Sequence, residues 1–400
     1  QLKSAGNMTI RSKGDLILAG QAGKTGNASA KVVKLEASKN LSLVGKNVNL
    51  NASELNAGGN VDVVATNGQL SLTSLENTLT NQAYSQEYID RLNQSIVRAD
   101  ADIAVITNSE KYKDAKSKAE PVLQFYAEAM AFFAQNHPQV GMGRKNAAEA
   151  RMAANKAVVD QYKQYNAKID QLNNQKKQLN NVINQAKAKG NGSEILGGKV
   201  TAHNINFTSN ASIDMDAAKL TAKNHINLMS AGYKKIGTNT YGISIEGVSS
   251  GAEIGKQDSD DYKYLMLTNP SVLTAANGIN IEASGVDKNS KTSIGASKLN
   301  AGNGAINIKS LGGLDLLHDS NELYSYRFTS GSHGNFIKKT KWTKSEEKRD
   351  VFVVPTELTA KNINVLSGED INTYASRFNA AKGDIHLTAG TSLGLYAVDE

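Results

Sequence analysis

Few residues of this 400-residue sequence have the types and spacing that catalysis or metal binding requires. The acidic run Asp258-Ser259-Asp260-Asp261 lacks the spacing of a calcium-binding loop. The six histidines are scattered, and the absence of cysteine excludes disulfides and thiolate metal sites. Neither a P-loop nor an H-E-x-x-H motif occurs. We therefore predict that the chain is not an enzyme and needs no metal or cofactor.

One short stretch has the composition of a binding surface instead. The segment NHPQVGMGR, residues 136–144, interrupts a long helical pattern with one proline and two glycines, which predicts an exposed turn. Apolar side chains beside an arginine are frequent in binding hot spots. A plain interhelical loop without a partner is the alternative. The first candidate receptor-binding set is His137, Val140, Met142 and Arg144.

A second stretch is basic and aromatic. The segment FIKKTKWTK places four lysines around the single tryptophan of the chain, within a pattern that predicts a β-hairpin. It could bind an anionic glycan or lipid, or it could be an edge strand that lysines protect from aggregation. The second candidate set is Lys338, Lys339, Lys341, Trp342 and Lys344.

Most of the sequence outside these two candidate sets follows a repeat. Pairs of apolar residues at two-residue spacing recur, for example at Leu41, Val48, Val61 and Leu70, with Asn and Gly at the corners. The full period is about 20–22 residues, as in the 22 residues from Ile363 to Ile385. Such a period indicates stacked units that cannot bury their apolar face alone. We predict a mainly β fold, a right-handed parallel β-helix.

Residues 82–190 depart from this repeat. Apolar residues follow 3-4 spacing on both sides of 136–144, as in a coiled-coil seam, and Lys176 fills the one vacant seam position. Thr107 and Glu110 have the spacing of a capping box. The nearly equal arms predict an antiparallel helical hairpin whose outgoing arm is interrupted near Asn108. A compact three-helix bundle is the alternative.

Two further departures have alternating residues and Gly-rich turns, which predict β-hairpins that leave the β-helix. The predicted organisation is therefore β-helix repeats at 1–81, 191–230, 275–321 and 357–400, the helical insertion at 82–190, and β-hairpin excursions at 231–274 and 322–356, the second of them basic. We expect the chain to be part of a longer one, because it starts at Gln1 and ends within a repeat.

The net charge is +7, and much of it falls in the helical region. This bias is typical either of attraction to an anionic surface or of a solvated helix face. The sequence contains no apolar run near the ~18 residues that a membrane-spanning helix needs. We expect no transmembrane segment and no nucleic-acid partner.

The repeat phrases GNMTIRSKGDLILAG, GGNVDVVATNGQLSLTS and KGDIHLTAGTSLGL resemble the haemagglutinin repeats of filamentous-haemagglutinin-type exoproteins. The passage that starts HDSNELYSYRFTSGSHGNF resembles one found in contact-dependent growth inhibition effectors of the CdiA type. The resemblance covers well over half of the chain. It implies a filament on the cell surface of a Gram-negative bacterium, secreted through an outer-membrane transporter by the two-partner route, without catalysis in the repeats.

In the growth-inhibition branch, the resemblance also implies a central segment that recognises an outer-membrane protein or surface glycan of a target cell. We therefore expect a secreted, receptor-binding segment that serves toxin delivery. The alternative is a host-directed adhesin that binds glycan or a host-cell protein. A polysaccharide-active β-helix enzyme is a more distant alternative, because such enzymes need convergent acidic or basic residues on one face.

Overall fold

The computed structural model describes residues 1–23, 30–82, 86–135, 138–187, 190–236, 239–256, 261–285, 288–334 and 339–398. The chain forms two compact units, Gln1–Gln82 with Lys189–Glu400, and Ala83–Ala188. The first unit is mainly strand and the second is helical.

The first unit is a parallel β-helix in which each coil contributes one strand to each of three sheets. The first three coils are formed by β1 (Leu2–Ser4), β2 (Met8–Arg11), β3 (Leu16–Ala19), β4 (Val33–Ala37), β5 (Leu41–Gly45), β6 (Val48–Asn51), β7 (Ser53–Ala57), β8 (Val61–Ala65) and β9 (Leu70–Thr73). The chain then leaves the β-helix through β10 (Leu75–Gln82), α1 (Gln86–Asn108), α2 (Glu110–Gln135), α3 (Pro138–Ala154), α4 (Lys156–Ala186) and β11 (Gly190–Leu196).

The fourth and fifth coils follow, together with a short strand (Lys234–Ile236) that pairs antiparallel with the last strand of the fifth coil (Asn239–Glu246). These coils are β12 (Lys199–Ala202), β13 (Ile205–Ser209), β14 (Ile213–Asp216), β15 (Lys219–Ala222), β16 (His225–Ser230), β17 (Lys234–Ile236) and β18 (Asn239–Glu246). A hairpin then leaves the β-helix through β19 (Val248–Lys256) and β20 (Asp261–Asn269).

The last four coils are interrupted by one more hairpin, whose strands are Asp319–Gly334 and Lys339–Val354. In chain order the strands are β21 (Val272–Ala275), β22 (Gly278–Ala283), β23 (Lys291–Gly295), β24 (Lys298–Asn300), β25 (Ala305–Ser310), β26 (Leu314–Leu317), β27 (Asp319–Gly334), β28 (Lys339–Val354), β29 (Glu357–Ala360), β30 (Asn362–Ser367), β31 (Ile371–Tyr374), β32 (Arg377–Ala380), β33 (Ile385–Ala389) and β34 (Leu393–Tyr396).

The three parallel sheets are named A, B and C in the order in which each coil enters them. Sheet A runs from β1 to β32, sheet B from β2 to β33, and sheet C from β3 to β34. Inward residues of one coil stack on those of the next, as Val61 on Leu41 and Ile205 on Val61. This stack is one continuous apolar core that runs from Leu16 to Ile371. The predicted parallel β-helix is confirmed.

The sequence pattern revealed only two of the three strands in each coil. The third strand, in sheet A, lies in the longer gap of the repeat and often has one large inward residue, such as Val200 or Leu220. Its signal is the recurring phrase KVTA, KLTA, VLTA and ELTA in β12, β15, β21 and β29. One large apolar residue per strand is too weak a period-2 signal to recognise.

The helical unit is a hairpin, and its outgoing arm is interrupted between α1 and α2, as predicted. Helix α1 packs along α4, whereas α2 packs on both α3 and α4. The seam residues Leu92, Ala119 and Val122 are buried, and Lys176 forms an ion pair with Asp100 across the seam. The return arm is also interrupted, at Asn155, between α3 and α4.

The predicted capping box is wrong. The hydroxyl of Thr107 donates to the carbonyl of Ile103 within α1. Ser109 is the residue that joins the two helices, because its hydroxyl donates to the carbonyl of Ile106 at 2.7 Å and accepts from the backbone N–H of Tyr112 at 3.2 Å. One side chain thereby satisfies backbone groups at the end of α1 and the start of α2.

Several predicted boundaries are also wrong. The segment YGISIEG, assigned to an excursion at 231–274, is scaffold, because Ile243 and Ile245 of β18 are buried in the core. Strand β21 is scaffold as well. Conversely, β10 and β11 pair with each other outside the three β-helix sheets, although 1–81 and 191–230 were assigned to the repeats.

Candidate recognition surfaces

All three excursions leave the β-helix at the same corner, between sheets C and A. They depart after β9, β18 and β26 and return at β12, β21 and β29. Their six strands form one antiparallel sheet in the order β10-β11-β19-β20-β27-β28. We call it the excursion sheet. The sequence predicted the hairpins separately, and the structure brings them together.

Excursions alternate with tight corners along the rod. In the second, fourth, sixth and eighth coils the C-to-A corner is a single turn with an alanine at positive φ: Ala52 at 44°, Ala217 at 45°, Ala296 at 45° and Ala375 at 47°. The excursions occupy the third, fifth and seventh coils. At the same corner of the first coil, Gln21 and Lys31 form an antiparallel bridge.

Strand spacing gives a physical reason for this alternation. Each coil advances the β-helix by one strand spacing of roughly 4.8 Å, whereas each two-stranded excursion needs two such spacings. Two coils and one excursion therefore advance by the same distance, so one excursion for every two coils keeps successive excursions within pairing distance of each other. An excursion from every coil would crowd the sheet, and one from every third coil would leave it open.

Backbone pairing joins the excursions in sequence order. Gly192 of β11 pairs with Ala252 of β19, and Leu265 of β20 pairs with Leu323 of β27. Asp319 fastens the base of the sheet, because its carboxylate accepts from the hydroxyls of Ser249 at 2.7 Å and Thr268 at 2.9 Å. These contacts link β19, β20 and β27 beside the β-helix.

The first candidate set lies at the junction of α2 and α3. His137 falls outside the described residues, and Val140 is in α3. Met142 is 42 % exposed. Arg144 is partly exposed, lies 3.9 Å from the carboxylate of Glu128, and places its guanidinium 5.2 Å from the centre of the Phe132 ring. Arg144 therefore contributes to packing within the hairpin.

The prediction of a turn across 136–144 is wrong for most of that stretch, because α3 begins at Pro138. Proline suits the first turn of a helix, where its missing N–H has no intrahelical partner to lose. Gly141 faces α2, since a Cβ there would lie 2.9 Å from the backbone of Phe133. The glycine that suggested a turn instead allows the two helices to approach closely.

Sequence reasoning missed a set of cation–π contacts in this region. Besides Arg144 on Phe132, the ammonium of Lys145 lies 4.9 Å from the ring of Phe133, and the guanidinium of Arg151 lies 5.3 Å from that of Phe125. Such contacts contribute roughly 0.5–1 kcal/mol each at exposed sites. The available signal was a set of phenylalanines on α2 opposite basic residues on α3.

The second candidate set lies on β28. Lys338 falls outside the described residues, whereas Lys339, Lys341 and Trp342 pair with Gly334, Ser332 and Gly331 of β27. Lys344 is exposed and forms an ion pair with Glu346. The two candidate sets belong to different units of the chain.

Three carboxyl groups lie partly buried on the outer face of sheet C. Burial raises the pKa of Asp214, Asp216 and Glu246 above their ordinary values. The hydroxyl of Ser293 donates to Glu246 at 2.8 Å, and Gly295 leaves room for that side chain. Within the described residues, no group of three or more His, Asp or Glu side chains could hold a metal ion.

Of the acidic run noted in the sequence, only Asp261 is within the described residues, in β20. Among the described helices, none has the length and apolar character to cross a bilayer. Comparison of the chain with protein-family models, curated proteins and solved structures gave no match.

Proposed function

We propose that this chain is a non-catalytic recognition segment of a secreted bacterial cell-surface filament, and that it binds an outer-membrane receptor on target bacteria during contact-dependent growth inhibition. The observation that supports this most is the common corner of the three excursions, which gather non-repetitive sequence into one sheet. A stacked rod positions such a sheet at low conformational cost, and binding residues usually occupy segments held by a rigid scaffold.

The resemblance of the repeat phrases to filamentous-haemagglutinin-type exoproteins supports the same proposal. The proposed partners are an outer-membrane protein or surface glycan of the target cell and, during secretion, the two-partner transporter. Recognition is assigned first to the α2–α3 junction, where Met142 is exposed. The basic part of β28 is the second assignment.

The test is binding of the fluorescently labelled chain to target bacteria. Changing Val140 and Met142 together to Ser should lower affinity by tenfold or more if the pair contributes about 1.4 kcal/mol. Arg144 is left in place, because it contacts Glu128 and Phe132. The matched control is Ala147→Ser on the exposed side of α3, which should bind like the parent.

A second variant changes Lys339, Lys341 and Trp342 to Ser, with Thr343→Ser as its control. Loss of binding in this variant alone would move the site to β28. Parental binding in both variants would refute both assignments. Binding that survives each deletion of a given outer-membrane protein in the target bacteria, together with equal binding to host cells or glycans, would favour the host-directed adhesin. Cleavage of acidic polysaccharide would indicate an enzyme.

A further inference from the structure

Strand β28 forms one edge of the excursion sheet. It pairs with β27 along its whole length, from Val354 opposite Asp319 to Lys339 opposite Gly334. In the described part of the chain, no strand pairs with its other edge. The edge is 16 residues long, and residues 343–349 are exposed. A long exposed edge offers unpaired backbone groups to another strand.

The charges on this edge alternate in a regular order. Lys344, Glu346, Lys348 and Asp350 share one face of β28, because successive side chains of a strand point to opposite faces. Lys344 forms an ion pair with Glu346, and the ammonium of Lys348 lies 2.7 Å from the carboxylate of Asp350. The side chains of Lys344 and Lys348 are 63 % and 60 % exposed, so they remain available to a neighbouring strand.

This order is complementary to itself when two copies lie antiparallel. If two copies of β28 lie antiparallel about a two-fold axis at Glu347, then Lys344 faces Asp350 and Glu346 faces Lys348 of the other copy. By symmetry this gives four opposite-charge pairs on one face, whereas on the other face Glu347 lies opposite Glu347 of the other copy. A shift of the axis by one residue places like charges opposite each other, and a parallel in-register arrangement places every charge against itself. Opposite charges across strands stabilise a pair of strands, and like charges destabilise it.

We propose that the free edge of β28 is a self-association surface, through which two copies of this chain join their excursion sheets antiparallel about Glu347. The inference does not depend on the proposed function. The same charge order would disfavour parallel, in-register stacking of many copies, which is the arrangement common in fibrils. The edge would thus be selective for a closed dimer.

The first test is sedimentation of the whole chain from micromolar to submillimolar concentrations. The parent should show a monomer–dimer equilibrium that weakens with added salt, because the pairs are exposed. Lys348→Glu places Glu opposite Glu twice and should weaken dimerisation by about tenfold or more. Thermal unfolding of the variant should match the parent, since residue 348 is exposed.

A compensating variant separates charge order from loss of any one residue. Lys344→Glu, Glu346→Lys, Lys348→Glu and Asp350→Lys together invert the order and keep it self-complementary. This variant should dimerise with itself but not with the parent. Residue 346 lies opposite Arg327 of β27. The melting temperature of this variant therefore measures whether the inverted charges destabilise the hairpin.

A covalent test fixes the register. The chain has no cysteine, so Glu347→Cys introduces a single thiol on the proposed axis. Opposed residues of antiparallel strands have Cα atoms about 4.5–5.5 Å apart, which a disulfide can bridge. Glu347→Cys should give an oxidised dimer faster than Ser345→Cys, which would face Arg349. A parent that stays monomeric throughout, or equal cross-linking of the two variants, would overturn the proposal.

Discussion

Asn206 donates a hydrogen bond through Nδ2 to the carboxylate of Asp62, at 2.7 Å, although 144 positions separate them in the chain. Asp62 lies in the third coil and Asn206 in the fourth, directly opposite each other in sheet B. The same kind of bond recurs in the following coils, where the side-chain amide of each asparagine donates to the asparagine of the preceding coil. The donors are Asn227, Asn280 and Asn307. The β-helix is therefore continuous across the helical insertion.

This continuity predicts that the helical insertion can be removed. Leu79 of β10 pairs with Gly192 of β11, so an Asn-Gly turn can replace 80–191 and close a hairpin. The shortened chain should lose its helical circular dichroism signal and keep a strand-rich spectrum with one cooperative thermal transition. A broad, non-cooperative melt would show that the β-helix needs the insertion.

The stacked core predicts a sharp contrast between inward and outward residues of the third coil. Leu72 is fully buried between Leu50 and Met215, so Leu72→Asp would place an unpaired charge in the core and should prevent stable folding. Asp62→Asn keeps an oxygen that can accept from Asn206 and should change the free energy of unfolding by no more than about 0.5 kcal/mol. Urea unfolding measures both, and similar results would invalidate the inward–outward assignment.

Thr292 predicts a stabilising substitution. It is fully buried between Ile243 and Leu314 of sheet C, and its hydroxyl has no hydrogen-bond partner among the residues that the structure describes. Thr292→Val should raise the free energy of unfolding by about 1 kcal/mol, because it removes a buried unsatisfied polar group at nearly constant volume.

Thr356 is the matched control for this substitution. It is equally buried, but its hydroxyl donates to the carbonyl of Leu317 at 2.7 Å. Thr356→Val should lower stability by about 1–2 kcal/mol. Destabilisation by both substitutions in thermal melts would show that Thr292 has a partner.

The carboxyl groups on sheet C predict a dependence of stability on pH. Burial raises the folded-state pKa of Glu246 above its ordinary value of 4.5, so the folded protein holds that proton more tightly than the unfolded chain. The resulting stabilisation is fully present below the unfolded-state pKa and is lost as pH rises through the folded-state pKa. Asp214 and Asp216 act in the same direction.

Glu246→Gln should therefore stabilise the protein at about pH 8 and have little effect near about pH 4, where the parent carboxyl is protonated. The amide oxygen can still accept from Ser293 and Ser244. Melting temperatures of parent and variant across this range provide the measurement. A benefit that is the same at both ends would assign the effect to packing rather than to the proton.

The sequence by itself determined the β-helix, the place of the helical insertion and the presence of two hairpin excursions. These are local properties, because period-2 pairs such as Ile363 and Val365 or 3-4 seams such as Ala115 and Ala119 are visible within one element. Period alone could not identify sheet A, whose strands often carry one large apolar residue, or assign β18 to the core.

The candidate sites were less predictable. The two glycines of 136–144 indicated a turn, but Gly141 packs against Phe133 and the helix continues through it. Whether a glycine bends the chain or admits a neighbouring helix depends on what lies beside it. That neighbour comes from α2 and cannot be recognised from the segment alone.

Only the tertiary structure decided that the excursions share one corner and one sheet. The partners Gly192 and Ala252, or Leu265 and Leu323, are joined by backbone hydrogen bonds, which carry almost no side-chain signature. Their meeting depends on the number of coils between excursions, because one strand spacing per coil sets where each hairpin emerges. The number of coils between two excursions cannot be recognised from the sequence of any single repeat.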